Sequence, residues 1–188
     1  HMNLNIIVGA RNKADTTNGP IQFPSGSGMT PEIVAIVMLL AGPNNDPVKT
    51  FEDKIIWVKG MKGSERRLAF IRGDLNATRE NPAAYKKHVM PVIKKGEAYT
   101  WFHHGLLNVK TGGHDKDPNF TEPTFEALFE KMHGVAPSGD FYDAYKLVKS
   151  WRDALQKAFW VNKGNPNKAK LVAALDEMIK DPESVAAI

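Results

Sequence analysis

Residues 20–32 read Pro-Ile-Gln-Phe-Pro-Ser-Gly-Ser-Gly-Met-Thr-Pro-Glu and carry three structural signals in close succession. Apolar and polar side chains alternate over residues 21–23, which predicts a short strand. Gly26 and Gly28 follow, and glycine permits the sharp turns and close backbone approaches that a tight loop needs. We therefore predict a strand that runs through a Gly/Ser loop into a helix.

The helix predicted after this loop has a well-marked beginning. Thr30 is a suitable N-cap, Pro31 suits the first helical position and Glu32 suits the first turn. Residues 33–41 are almost uniformly apolar, which predicts a buried helix. Free N–H groups and the positive end of the helix dipole meet at such a junction, so it is suited to bind a carboxylate or a phosphate. An ordinary strand–helix turn with a good cap explains the same residues equally well.

Strand-like and helix-like segments alternate along the chain. Strands are predicted at residues 4–8, 21–23, 55–58, 75–78, 98–103 and 158–161, and helices at 31–41, 64–72, 82–95 with a bend at Pro91, 124–133, 138–148, 168–179 and from 181 onward. This alternation predicts right-handed crossovers and a three-layer α/β lobe with a mainly parallel sheet. Ligands of such sheets bind beyond the carboxyl ends of the strands. That rule gathers four segments at one rim: 25–30, 59–60, 78–80 and 103–104.

The composition is that of a globular protein, with 188 residues, 42% hydrophobic and 24% charged side chains. The longest apolar run, residues 33–41, is too short to span a membrane. The net charge of +4 mildly favours anionic partners. However, the basic residues form no stripe, so we predict no nucleic-acid partner. The chain contains no cysteine, which excludes disulfides and thiol chemistry.

Three well-known loop motifs are absent from the Gly/Ser loop. No Lys follows Gly28 as it would in a Walker loop, and Pro31 stands where a dinucleotide fingerprint has its last Gly. Ser27 lacks the G-x-S-x-G spacing of a nucleophile elbow. The loop therefore matches none of these three nucleotide-binding or acyl-transfer motifs.

Short motifs follow one another in order over nearly the whole chain. They are FPSGSG followed by TP at 23–31, WVKG through GSE at 57–65, the segment 68–77, VMPVIKKG at 89–96, the segments 118–125 and 158–166, and KDPE at 180–183. No single motif is specific, but their order resembles that of the extracytoplasmic solute receptors of tripartite tricarboxylate transporters, the TctC or Bug receptors. Asn76 stands where many members carry Asp, and no Tyr precedes Lys59. These departures concern the ligand more than the fold.

The resemblance implies a type II periplasmic-binding-protein-like lobe. Residues 3–157 are expected to form the second ligand-binding lobe. Residues 158–188 are expected to supply a returning strand and C-terminal helices that belong to the first lobe, which is otherwise largely missing from this sequence. A truncated domain of this kind should bind its solute poorly. An unpaired strand edge at 160–161 would allow a domain-swapped homodimer to cover it.

The resemblance also implies a role in transport. The expected function is a solute-binding protein that captures a small organic anion, a carboxylate, and delivers it to the membrane permease subunits of the transporter. The parent protein is expected to be periplasmic or otherwise extracytoplasmic, although this chain carries no signal peptide. Such a receptor is not an enzyme, and it needs no catalytic residue, cofactor or metal.

Eight residues are predicted to contact the ligand: Ser25, Gly26, Ser27, Gly28, Thr30, Lys59, Thr78 and Arg79. The loop would supply N–H groups and hydroxyls, and Arg79 would supply a planar, bidentate partner for a carboxylate. Alternatively, Arg79 forms a surface ion pair with Glu80 or Asp74. Lys59 is equally explained as a solvated loop charge.

A small-molecule-processing α/β enzyme is an alternative class. Its metal ligands would be His103, His104, His114 and Asp115. Adjacent histidines on a strand point to opposite faces, which argues against a shared metal. In addition, no nucleophile and base stand at a recognisable spacing.

An interaction module without a ligand is the remaining class. It would present an exposed aromatic face composed of Tyr142, Tyr145, Trp151 and Trp160. Aromatic residues on amphipathic segments more commonly belong to a core, and we favour that interpretation.

Overall fold

The computed structural model describes residues 7–10, 20–25, 29–108, 110–111, 113–155 and 161–186. Gly26, Ser27 and Gly28 lie outside these ranges, as does the strand predicted at 158–161 except for its last residue. The chain divides into two compact units, His1–Ala154 and Leu155–Ile188. The assignment of residues 3–157 and 158–188 to two receptor lobes stays a prediction.

The described residues form seven strands and nine α-helices. The strands are β1 Ile7–Ala10, β2 Ile21–Ser25, β3 Ile55–Lys59, β4 Ala77–Glu80, β5 Tyr99–His103, β6 Leu106–Leu107 and β7 His114–Asp115. The helices are α1 Pro31–Ala41, α2 Pro47–Lys54, α3 Gly63–Arg72, α4 Pro82–Ala84, α5 Met90–Lys94, α6 Phe125–His133, α7 Asp140–Leu155, α8 Lys168–Met178 and α9 Pro182–Ala186, with a π-helix at Tyr85–Val89 between α4 and α5. The fold is therefore mixed α/β, with more helix than strand, as predicted.

Sheet topology departs from the mainly parallel sheet. Strand β1 lies between β4 and β5 and runs antiparallel to both, so the prediction is wrong for this strand. Because β4 and β5 both oppose β1, they run in the same direction. Strands β2 and β3 form a parallel pair, as predicted. Asn76, just before β4, links the two groups of strands, because its amide oxygen accepts from Gln22 N at 2.8 Å and its amide nitrogen donates to Pro20 O at 2.9 Å.

Helix α1 is the centre of the apolar core of the first unit. Nine of its eleven residues are buried, as the uniformly apolar sequence predicts. Phe23 of β2, Phe102 of β5 and Phe125 of α6 belong to the same core cluster and have no exposed surface. The first turn of α1 is therefore held between the sheet and α6 by packing that no single local motif specifies.

Several helix boundaries follow from local capping. Thr124 Oγ1 accepts from Ala127 N at 3.2 Å at the start of α6, which confirms the predicted cap. Helix α3 begins one residue before the predicted Ser64, because Lys62 N donates to Glu65 Oε2 at 2.7 Å. Thr30 occupies the N-cap position of α1, but its hydroxyl makes no capping hydrogen bond.

Other segments differ from the prediction. Helix α2 was not predicted; Asp46 caps it by accepting from Val48 N at 2.8 Å. The helix predicted at 82–95 contains the π-helix, and Met90 N bonds to Tyr85 O at its end. The wider π turn accommodates Pro91, which lacks an N–H group and would crowd the preceding carbonyls in an α-helix. The loop predicted at 105–123 contains the short antiparallel pair of β6 and β7.

Two elements near the candidate site have boundaries that differ from the prediction. Strand β4 begins and ends two residues later than predicted, so Thr78 and Arg79 lie within the strand rather than beyond its end. Helix α7 continues past the predicted end at Val148 to Leu155. This extension brings Lys149, Arg152 and Asp153 into the first unit as helical residues.

Candidate functional site

Strands β2 and β3 end side by side at the predicted rim. Ser25 pairs in register with Lys59, and the Ser25 carbonyl accepts from Gly60 N at 2.9 Å. Ser25 is fully buried, whereas Lys59 is exposed and holds its ammonium 4.6 Å from the centre of the Trp57 ring. The two side chains therefore differ in exposure, and the predicted role of Lys59 as a ligand residue stays a prediction.

Glu32 contacts several polar side chains near the start of α1. Its carboxylate has no exposed surface and forms an ion pair with Arg152. Arg79 Nη1 lies 3.5 Å from Oε2, and His104 Nε2 lies 3.7 Å from Oε1. Burial alone would raise the pKa of Glu32, but Arg152 and Arg79 outweigh it and hold the pKa well below its usual range. Glu32 is therefore ionised in the interior.

His104 follows β5 and connects Glu32 to α7. Its Nδ1 lies 2.6 Å from the hydroxyl oxygen of Tyr145, and both side chains are fully buried. Burial lowers the pKa of His104 well below its ordinary value, and this effect outweighs the attraction of Glu32. Burial likewise raises the pKa of Tyr145 well above its ordinary value. Both groups are therefore neutral at physiological pH.

A second buried carboxylate, Glu80, ends β4. Arg67 of α3 forms a bidentate ion pair with this carboxylate. Its Nε donates to Oε1 and its Nη2 donates to Oε2, each at 3.2 Å. Arg66 is less tightly held, since its Nη2 lies 3.9 Å from Glu80 Oε2. Bidentate arginine–carboxylate pairs are stronger than single contacts, so the main partner of Glu80 is Arg67.

A further polar cluster involves His114 and the C-terminal part of α7. His114 stands 3.7 Å from Glu126 Oε1 and 3.7 Å from Asp153 Oδ2, and Lys149 forms an ion pair with Asp153. Burial raises the pKa of Glu126 and lowers that of Lys149. Within the described residues, no three His, Asp or Glu side chains form a group that could hold a metal ion.

The structure places the predicted ligand residues in different surroundings. Arg79 pairs with Glu32, and among the described residues its ion pair is with neither of the two predicted alternatives; Asp74 pairs with Arg72. Thr30 and Thr78 each bury a hydroxyl oxygen that makes no hydrogen bond within the described part of the chain. Thr30 thus lies at the N-cap of the helix whose first turn holds Glu32, and Arg79 lies 3.5 Å from Glu32. The loop residues 26–28 lie outside the described ranges, so their contacts stay a prediction.

Among the histidines of the enzyme alternative, His103 lies in different surroundings from His104, whereas His104 and His114 both lie against Tyr145. His103 Nδ1 accepts from Gly105 N at 3.0 Å, whereas His104 is bound to Tyr145. Asp115 is exposed and accepts from Asn108 Nδ2 at 3.0 Å. These residues are therefore not brought together as one set of ligands.

Glu32, Arg66 and Arg152 belong to the site, but the sequence interpretation did not select them as site residues. Helical periodicity contains a usable signal for Arg152, because Tyr145, Lys149 and Arg152 are spaced four and three residues apart and share one helix face. That signal required α7 to extend beyond Val148. Glu32 was assigned to the first turn of α1, and nothing in the local pattern indicated three distant partners.

No protein-family model, curated protein or solved structure matches this chain. Among the described helices, none has both the length and the apolar character needed to cross a membrane.

Proposed function

We propose that this chain is the ligand-binding part of an extracytoplasmic receptor for a small organic anion, a carboxylate, that serves a tripartite tricarboxylate-type transporter. The observation that carries the proposal is the position of Arg79, which reaches the first turn of α1 and lies 3.5 Å from Glu32. A planar guanidinium group can bind a carboxylate through two parallel N–H bonds. Arg79 Nε is buried and makes no hydrogen bond with the described residues, so this guanidinium keeps an unused donor.

Two threonine hydroxyls near Arg79 in sequence or space are also unpaired within the described part of the chain, and Thr30 can add to this donor set. Thr30 Oγ1 and Thr78 Oγ1 are buried and lack hydrogen-bond partners among the described residues. Leaving a buried polar group unpaired costs about 1–3 kcal/mol. A solute oxygen that accepts from the Thr30 hydroxyl would remove that cost at the start of α1, which supports a ligand at this position. Thr78 is adjacent to Arg79 on β4 and therefore faces the opposite side of the strand.

Electrostatics also favour an anion. Glu32 contributes one negative charge, but Arg79 and Arg152 both face it. Their side chains are 16% and 13% exposed, so the edge of the site is in contact with solvent. A locally positive, partly enclosed surface attracts small anions more strongly than an open one.

The test is calorimetric titration of the full chain with a panel of mono-, di- and tricarboxylates. Arg79→Gln is expected to weaken binding about tenfold to a hundredfold, because a charge-assisted hydrogen bond contributes roughly 1.5–3 kcal/mol. Arg72→Gln is the matched control, since Arg72 pairs with Asp74 at the exposed surface. Equal affinities in the two variants, or no binding of any acid by the wild type, would refute the receptor proposal.

A further inference from the structure

Helix α7 turns charged residues inward and apolar residues outward. Lys149 is fully buried, and the side chain of Asp153 is only 7% exposed. By contrast, Leu147 and Trp151 on another face of the same helix are 60% and 67% exposed. A surface helix of a globular protein normally buries its apolar stripe and leaves its charges in solvent. The inverted arrangement leaves an apolar helix face for a partner to cover.

The exposed apolar residues of α7 form one stripe. It consists of Phe141, Ala144, Leu147, Val148 and Trp151. Residues that follow one another at intervals of three and four lie on the same side of a helix. Of the aromatic face considered in the sequence analysis, Trp151 is therefore exposed, whereas Tyr145 belongs to the core.

An apolar groove lies at the first residue of this stripe. Its volume is about 180 Å³, and it is lined by Met29, Val34, Val37, Pro47, Val48, Phe51 and Phe141. Phe141 therefore belongs to both the groove and the stripe. A cavity of roughly 150 Å³ is large enough to hold one aromatic ring. Met29 and Val48 are both about half exposed, so the groove is open to solvent and can receive an apolar side chain.

The stripe and the groove together are complementary to a second copy of themselves. Phe141 and Trp151 are the two ends of the stripe, and Ala144 and Val148 each lie three residues inside one end. The spacing is therefore the same in both directions along α7. When two such helices pack antiparallel about a twofold axis, Trp151 of each copy lies opposite Phe141 of the other. The exposed indole then meets the groove, and the small Ala144 meets the larger Val148.

Charges do not oppose this pairing. The stripe itself contains no charged side chain, and Asp140 is exposed at the beginning of the helix. The charged residues of α7 after Asp140 are paired within the same chain: Asp143 with Lys146, Lys149 with Asp153, and Arg152 with Glu32. Two copies can therefore approach through this face without burying an isolated charge.

The exposed area is sufficient for a weak dimer. The stripe and the groove rim expose on the order of 600 Å² of apolar surface per copy, if a fully exposed large side chain contributes about 150–250 Å². Specific interfaces bury about 600–1,000 Å² per partner, so this face lies at the lower end of that range. We therefore expect a dissociation constant on the order of 10 μM.

We propose that the protein forms a twofold-symmetric dimer through α7, in which Trp151 of each copy inserts into the apolar groove of the other. The proposal is independent of the receptor function, because no residue of the stripe or the groove belongs to the candidate anion site. It also differs from the domain-swapped dimer considered in the sequence analysis, because no strand is exchanged.

The first test measures molar mass by sedimentation equilibrium at protein concentrations below and above the expected dissociation constant. We expect a monomer–dimer equilibrium for the wild type and for the control Leu68→Ala, which shortens a similarly exposed apolar side chain on α3. Trp151→Ala should weaken dimerisation about thirtyfold or more, because a Trp that fills a pocket is a typical hot-spot residue. Val48→Glu should also weaken it strongly, because it places a charge at the rim of the groove.

Two results of this measurement would overturn the proposal. One is a wild type that stays monomeric well above the expected dissociation constant. The other is dimerisation that Trp151→Ala and Leu68→Ala reduce equally, since the association would then not depend on the stripe. Trp151 and Val48 are exposed in the monomer, so both variants should melt close to the temperature of Leu68→Ala in dilute solution.

Disulfide cross-linking tests the antiparallel arrangement. The chain contains no cysteine, so an introduced thiol reports on one position only. Under mild oxidation, an equimolar mixture of Ala144→Cys and Val148→Cys should give mixed dimers in preference to dimers of either variant with itself, because the two positions face each other across the twofold axis. Intact mass spectrometry distinguishes the three products. Preferential linkage of Ala144→Cys to itself, or no linkage in the mixture, would overturn the proposed arrangement.

Discussion

Glu32 makes the folded state sensitive to acid. Its pKa in the folded protein lies below the ordinary value of 4.5, so the unfolded chain takes up the proton first as the pH falls. The contribution of Glu32 to the free energy of unfolding is therefore fully present above about pH 4.5 and is lost progressively below it. We expect a loss of stability that begins near pH 5 and continues below pH 3, measured by urea denaturation.

Glu32→Gln should remove this part of the pH dependence. It should also lower the free energy of unfolding at neutral pH by about 3 kcal/mol, because the arginines that face Glu32 would lose their carboxylate. Glu52→Gln is the control, since Glu52 is exposed on α2. If the Glu32 and Glu52 variants show the same pH profile, the buried ion pairs do not govern acid stability.

At this residue scale, the sequence did not predict the partner that Arg79 has in the structure. Arg79 was predicted to bind a ligand carboxylate, with Glu80 or Asp74 as alternative partners, and in the structure it faces an internal carboxylate. That carboxylate is Glu32, which is far away in sequence and was interpreted only as a first-turn residue. Charge pairing across the fold depends on which strands and helices become neighbours, and local patterns do not contain that information.

At the scale of elements, the two threonine N-caps should differ in their contribution to stability. Thr124 caps α6 by accepting from Ala127 N at 3.2 Å, whereas Thr30 makes no capping bond in α1. Thr124→Ala is expected to lower the free energy of unfolding by about 1 kcal/mol. Thr30→Ala should cost clearly less, because no cap is lost. Denaturant titration of both variants measures the difference, and equal costs would mean that Thr30 caps α1 in solution.

Element boundaries that depend on local signals were predicted well. Helix α6 begins after Thr124 and ends before Gly134, which adopts the left-handed conformation expected of a helix stop. The direction of β1 was not predictable in this way. Its apolar residues fit a parallel or an antiparallel neighbour equally well, and the choice is made by pairing with β4 and β5.

For the whole molecule, the two compact units differ in how much core they contain. Both apolar core clusters consist of residues from the unit His1–Ala154, and α8 of the other unit has no buried residue. Local stability follows the density of buried contacts. The unit Leu155–Ile188 should therefore open more readily than the first.

Limited trypsin digestion with mass spectrometry tests this expectation. Cleavage after Lys168 and Lys170, both exposed on α8, should precede cleavage after Lys149, which is fully buried in α7. The fragment that retains α7 should persist during the digestion. Cleavage at Lys149 as fast as at Lys168 would show that α7 opens as readily as α8.

The ion pair between Glu32 and Arg152 also affects how the protein is made. Chains leave the ribosome from the N-terminus at about 5–20 residues per second. Helix α1 therefore emerges well before α7, so the ion pair of Glu32 with Arg152 can form only after α7 has been synthesised. During synthesis, Arg79 arrives first and is the earliest cation that can hold the carboxylate. The site can close only after nearly the whole first unit has been translated, so its assembly is a late event in the biogenesis of the protein.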